Sequence, residues 1–343
     1  MKPSRYEEAG VSIDAQDRAI EGIKDHVKST ETDRVLSSIG GFGGLFDIRF
    51  PQMEQPVLVS SADGIGTKLK IAFDADRHDT VGQCLVNHCI NDILVQGAKP
   101  LFFMDYIATG KLEPHVAVEV VKGMAVACRN EGVAILGGEM AEMPGFYAAG
   151  EYDVGGFIVG VVDRPKLLGP DRVKPGQKLI GLPSTGLHTN GYSLARKVIF
   201  EENGYALTDK LPGMDVNVVD ALLAIHLAYF KVLEPLLEQD QIAAMSHITG
   251  GGFLDNMPRI LAADSDAVIH TKAYQVPPLF NFLMEAGGVD GEEAYRVFNM
   301  GIGMILVVDE VHEEAVLAHV RKTLPGSCKL GHIAPGSGKV QLT

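Results

Sequence analysis

Apolar positions along the chain fall first into short runs of strand length, at residues 57–60, 101–107, 133–136 and 156–162. Between them, residues 81–96 and 114–130 carry apolar side chains at helical spacing. The second of these opens on Pro114 and stops at Gly132, the usual order of helix start and stop signals. Strands alternating with helices predict an α/β or α+β domain. A connection punctuated by Pro and Gly, residues 163–176, then divides the chain into a first domain over 1–165 and a second over 170–343. The second half predicts a strand at 178–182 and a long apolar helix over 218–237. Strands at 267–270 and 304–308 follow, then a helix ahead of Leu324.

Length agrees with this division, because 343 residues exceed what one hydrophobic core supports. No run approaches eighteen consecutive apolar residues, and the first eight residues lack the apolar stretch of a secretory signal. A cytosolic chain without a membrane partner is expected. Cys84, Cys89, Cys128 and Cys328 form no CxxC pair and read as small core thiols. The net charge of −14, with no block of Lys and Arg, argues against a nucleic-acid partner. An anionic small molecule needs only local help from backbone N–H groups, a few cations and a metal ion.

The glycines cluster where such help is expected. They gather at Gly40, Gly41, Gly43 and Gly44; at Gly64 and Gly66; at Gly137 and Gly138; at Gly186 and Gly191; and at Gly250, Gly251 and Gly252. Without a Cβ, backbone amides can approach phosphate oxygens closely. One such cluster is accounted for by a tight turn, five less readily. None is a Walker A loop: Gly64-Ile65-Gly66-Thr67-Lys68 lacks the spacer, and no GxGxxG opens a helix after the first strand. Asp63, Asp92 and Glu139 stand at element ends or faces where they could converge on one side of a sheet, as hard oxygen ligands for Mg²⁺ on ATP. Lys68 follows as a candidate for neutralising phosphate charge. His188 and His247 sit among glycines and hydroxyls (Ser184, Thr189, Thr249), with Asn190 beside them, in a setting that suits oxyanion binding or proton transfer.

Taken together, the strings are specific. They include Tyr6-Glu7-Glu8-Ala9-Gly10-Val11, Ile39-Gly40-Gly41-Phe42-Gly43-Gly44, Ala62-Asp63-Gly64-Ile65-Gly66-Thr67-Lys68 and Asn91-Asp92-Ile93-Leu94. Phe102-Phe103-Met104-Asp105-Tyr106, Gly137-Gly138-Glu139-Met140-Ala141-Glu142-Met143-Pro144 and Ser184-Thr185-Gly186-Leu187-His188-Thr189-Asn190-Gly191 follow, then His247-Ile248-Thr249-Gly250-Gly251-Gly252 and Phe298-Asn299-Met300-Gly301. In this order the chain resembles, end to end, the phosphoribosylformylglycinamidine cyclo-ligases (aminoimidazole ribonucleotide synthetases) of purine biosynthesis. Ala62 and Met140 replace threonines usual in that family. The resemblance implies a two-domain fold whose N-terminal sheets pair across a homodimer, with ATP near that interface. It also implies ATP-dependent closure of formylglycinamidine ribonucleotide to an imidazole through phosphorylation of its amide oxygen. By the same analogy ATP and Mg²⁺ fall to Gly40, Gly41, Gly43, Gly44, Asp63, Gly64, Lys68, Asp92, Gly138 and Glu139, with Asp63, Asp92 and Glu139 on the metal. The nucleotide substrate falls to Ser184, Gly186, His188, Asn190, His247, Thr249, Gly250 and Gly251, and catalysis to His188 and Lys68.

Overall fold

The computed structural model describes residues 5–38 and 40–343, so Met1–Ser4 and Ile39, the first residue of one glycine motif, lie outside the described residues. The chain separates into two compact units. One contains residues 1–93 and 100–161, the other residues 94–99 and 162–343.

The first unit is built on a four-stranded sheet in the order β1-β4-β2-β3, with β1 Pro56–Gly64, β2 Lys99–Thr109, β3 Ala134–Glu142 and β4 Tyr152–Asp163. β2 and β3 run parallel, Asp105 opposite Gly138 and Tyr106 opposite Glu139. The two helices expected between the strands form at Asp79–Leu94 and Pro114–Glu131. Pro114 stands in the first turn of the second, and Gly132 closes it at φ 73°. These helices meet backbone to backbone. A Cβ on Gly82 would lie 2.0 Å from the Val120 carbonyl oxygen, and one on Gly123 2.0 Å from that of Asp79. Only glycine permits that crossing. A further helix, Ile13–Lys28, is capped by Ser12, whose Oγ accepts from Ala15 N at 3.2 Å. The Glu142 carboxylate anchors the same turn, accepting from Ser12 N at 2.8 Å and Leu112 N at 2.7 Å. Alternation along the strands leaves Leu58, Met104, Tyr106 and Phe157 exposed.

The second unit holds a six-stranded sheet ordered β10-β7-β9-β5-β8-β6. Its members are β5 Lys178–Pro183, β6 Ala244–His247, β7 Ser265–Ile269, β8 Ile302–Val308, β9 Cys328–Pro335 and β10 Val340–Leu342. All pairs are antiparallel except β10 with β7. Every residue of β8 is buried, as an apolar run of that length requires.

The long helix expected over 218–237 does not form as one piece. It becomes Val218–Leu222 and Phe230–Glu238, with residues 224–229 in no regular structure. Tertiary hydrogen bonds replace the helical ones there. The Tyr192 hydroxyl donates to Leu222 O at 2.6 Å, the Thr185 hydroxyl donates to Ile225 O, and Leu227 N donates to His188 Nε2 at 3.5 Å. Propensity alone could not reveal these competing partners. All four cysteines are buried, as expected of core thiols. No helix among the described residues is long and apolar enough to cross a membrane.

Candidate active site

In the first unit the candidate acidic residues gather in two places. Asp63 is the next-to-last residue of β1, and the helix Asp79–Leu94 places His88 and Asp92 one turn apart on one face. His88 Nε2 lies 2.6 Å from Asp63 Oδ2 and 3.7 Å from Asp92 Oδ2, and the Ser61 hydroxyl donates to Asp92 Oδ2 at 3.1 Å. Burial by itself would lower the His88 pKa. The hydrogen bond to Asp63 and the charges of Asp92 and Asp63 outweigh it, so the imidazole is raised above its ordinary value. His88 is thus a clamp that holds two carboxylates side by side, each with oxygen lone pairs left for a hard cation.

Glu139 is not part of that group within one chain. It lies on β3, at the opposite edge of the sheet from β1, about 14 Å away at three strand spacings. It is exposed and lines a cavity of about 590 Å³ together with Gly40, Gly41, Gly43, Gly44, Gly137 and Gly138. The expected convergence of three carboxylates therefore fails in a single protomer, because the strand order separates β1 from β3. Lys68 is also displaced from expectation. It is fully buried, with Nζ 3.2 Å from Cys84 Sγ, and does not line the glycine cavity. Gly64 N donates to Asp63 Oδ1 at 2.8 Å, which fixes the rotamer of that carboxylate.

In the second unit both glycine-rich segments fold into one cluster. His188 takes a left-handed backbone conformation at φ 61°, and its Nε2 accepts from Thr185 N at 3.2 Å. His226, from the broken helix, stacks on His188 with ring centroids 4.0 Å apart. Its Nε2 lies 3.1 Å from His247 Nε2, and its Nδ1 3.4 Å from the Thr189 hydroxyl. The in-plane lone pairs of two nearly parallel stacked rings do not meet at one point. Only His226 and His247 are hydrogen-bonded to each other, while His188 is held by stacking and by the Thr185 and Leu227 amides.

Two buried asparagines fix the loops. Asn256 Nδ2 donates to Gly250 O at 3.2 Å and Gly252 O at 2.8 Å. Asn299 donates from Nδ2 to Gly186 O at 2.8 Å, while its Oδ1 accepts from the Ser184 hydroxyl at 3.0 Å and Gly301 N at 2.9 Å. Asn190 approaches Gly250 so closely that a Cβ there would lie 3.1 Å from Asn190 Oδ1. Ser184, Gly186, His188, Asn190, His247, Thr249 and Gly250 therefore belong to one connected set of loops, and Gly251, at φ 95°, turns the chain into the helix Gly252–Asn256.

Sequence reasoning missed His88, His226, Asn256 and Asn299. His88 carried a signal, four residues before Asp92 on a helix, and Asn299 stood inside a recognised string. His226 carried none, since its segment read as helix.

The fold and these two clusters define a two-unit α/β protein of the AIR synthase related class. Residues 47–162 match the family described as AIR synthase related protein, N-terminal domain, and residues 174–342 its C-terminal domain. The chain is 49% identical over 340 residues to a phosphoribosylformylglycinamidine cyclo-ligase of Geobacter sulfurreducens, covering 98% of each chain. It is equally 49% identical over 337 residues to that of Thermoanaerobacter pseudethanolicus, covering 98% of this chain and 99% of the relative. The chain belongs to the phosphoribosylformylglycinamidine cyclo-ligase family. Among solved structures, the hydrogenase maturation protein HypE in complex with ATP superposes with a TM-score of 0.71 at 18% identity, covering 98% of this chain and 93% of HypE. A thiamine-monophosphate kinase from Stenotrophomonas maltophilia superposes with a TM-score of 0.68 at 16% identity, covering 94% and 95%. These two likenesses concern the fold.

Proposed function

We propose that this chain closes the imidazole ring of aminoimidazole ribonucleotide, using ATP to activate the amide oxygen of formylglycinamidine ribonucleotide. The observation that carries the reading is family membership over essentially the whole chain, with Asp63 and Asp92 clamped by His88. An amide oxygen leaves poorly until it is phosphorylated. Transfer of the γ-phosphoryl group makes it a phosphate leaving group, the neighbouring nitrogen attacks the activated carbon, and ADP and phosphate are the other products. Folding the substrate so that nitrogen and carbon meet supplies the proximity that a single molecule in water lacks.

Asp63, Asp92 and Glu139 would hold Mg²⁺, whose chemistry is to offset negative charge on the phosphates during transfer. The hard oxygens of Asp63 and Asp92 fit that ion, and their fixed rotamers favour it. In the same reading Gly40, Gly41, Gly43, Gly44, Gly64 and Gly138 present backbone amides to ATP. Lys68 contributes from a buried position and not as a wall of the glycine cavity.

A homodimer completes the reading. Four large apolar side chains, Leu58, Met104, Tyr106 and Phe157, are exposed on the first sheet, the mark of a face that meets another protein. Pairing two such sheets about a twofold axis parallel to the strands would bring the Asp63 edge of one toward the Glu139 edge of its partner. In the second unit, Ser184, Gly186, Asn190, Thr249, Gly250 and Gly251 would receive the substrate phosphate and amide. His188 and His247 would donate hydrogen bonds or move the proton released on ring closure. The decisive experiment is ATP hydrolysis with and without formylglycinamidine ribonucleotide. Hydrolysis that appears only with that nucleotide supports the proposal, and hydrolysis at the same rate without it sinks the proposal.

A further inference from the structure

The glycine-lined cavity of the first unit contains one carboxyl that the reading above leaves without a task. Asp105 lies on β2 opposite Gly138, and its Oδ1 stands 2.3 Å from where a Cβ on Gly138 would be. The bare glycine is what lets this carboxyl lie against the β3 backbone. Among the described residues, the carboxyl accepts only from its own backbone N–H. Among the described residues no Lys, Arg or His lines the cavity. Cys128 faces Asp105 from the helix Pro114–Glu131, and Glu139 is the other acidic group of the lining. The walls are otherwise mostly apolar, with Ile20, Ile23 and Val121 among them.

Burial without a cation pushes Asp105 up to about 7, so near neutral pH much of it is the uncharged acid. A carboxylic acid offers one donor and one acceptor side by side. The amine edge of adenine offers the complement, an exocyclic N–H beside a ring-nitrogen acceptor. Read along the N7 edge, guanine presents two acceptors, O6 and N7, where adenine presents a donor beside an acceptor, so only the donor of Asp105 would be satisfied by guanine there. An apolar slot with a few placed polar groups suits a flat base better than it suits phosphates.

We propose that Asp105 is the residue that selects adenine, with the base in this cavity and the phosphates directed toward Gly40, Gly41 and Gly43. The proposal rests on the reading of this cavity as part of the ATP site. It adds the partner of the base and the reason for the choice of nucleotide.

The test is calorimetric titration of the full-length protein with the non-hydrolysable analogues AMPPNP and GMPPNP in the presence of Mg²⁺. Losing both hydrogen bonds corresponds to a factor of about 10–100, so Asp105→Ala should cut the preference for the adenine analogue at least about tenfold. Asp105→Asn, which keeps an acceptor beside a donor, should retain that preference. Asp105→Leu serves the same purpose as Asp105→Ala with the volume kept. A wild-type preference in either apolar variant overturns the role of Asp105, even if AMPPNP still binds. Ile20→Trp, which fills the cavity, separates the two claims. If it leaves AMPPNP affinity unchanged, the base lies elsewhere, and the ATP reading of this cavity fails together with the proposal.

Discussion

Asn299 offers the sharpest check on how the second unit holds its loops. It is 4% exposed and makes three hydrogen bonds, to Gly186 O, the Ser184 hydroxyl and Gly301 N. These tie the loop after β5 to the turn before β8. In Asn299→Ala all three bonds go. Ser184 keeps its alternative acceptor, Gly186 O at 2.9 Å, but the buried Gly301 N–H loses the side-chain oxygen it donates to. The lost bond to Gly186 O at about 1 kcal/mol, plus one stranded buried amide at about 1–3, gives a loss of about 3 kcal/mol. For a cooperative unit of about 150–250 residues this is roughly 6–12 °C in Tm. Urea denaturation followed by circular dichroism measures the free energy, and initial rates measure the consequence for turnover. The KM for the nucleotide substrate should rise, since the displaced loop carries Ser184, Gly186 and His188. Asn299→Asp, which keeps the acceptor but sets a buried carboxylate against Gly186 O, should destabilise at least as much as alanine at neutral pH. A loss below about 1 kcal/mol with unchanged KM would show that the loops are held by packing and not by this side chain.

Two further outcomes follow from the same geometry. His88→Ala removes the group between Asp63 and Asp92 and should raise the KM for ATP about tenfold, the scale of one charge-assisted hydrogen bond. The KM for the nucleotide substrate should stay near wild type, and an equal rise in both would contradict the clamp. In the second unit Asp266 accepts from Ser337 N at 2.7 Å, Lys339 N at 2.9 Å and Gln341 Nε2 at 2.9 Å. These bonds hold its pKa below the ordinary value. A depressed carboxyl contributes stability above its unfolded pKa of about 3.9 and loses it as pH falls through the folded value. Thermal melts between pH 5 and the acid limit should therefore fall less steeply for Asp266→Asn than for wild type, and parallel profiles would refute the assignment.

Local chemistry was legible wherever a residue's own neighbours in sequence decided it. Pro114 and Gly132 bound one helix, the apolar runs became β1 to β4, and the glycine strings marked the loops that carry candidate function. Family resemblance also lay in the sequence, because it depends on ordered strings and not on geometry. Three things were decided only by the tertiary structure. Strand order, a long-range choice, put Asp63 and Glu139 on opposite edges of one sheet, so that two carboxylates meet where three were expected. Side chains remote in sequence (Thr185, His188 and Tyr192) captured the backbone of residues 222–227 and broke a segment whose propensity is helical, delivering His226 to the loop cluster. Lys68, polar in sequence, ended fully buried against Cys84. In each case the deciding partner lies far along the chain, and periodicity, which reports only near neighbours, contains no information about it.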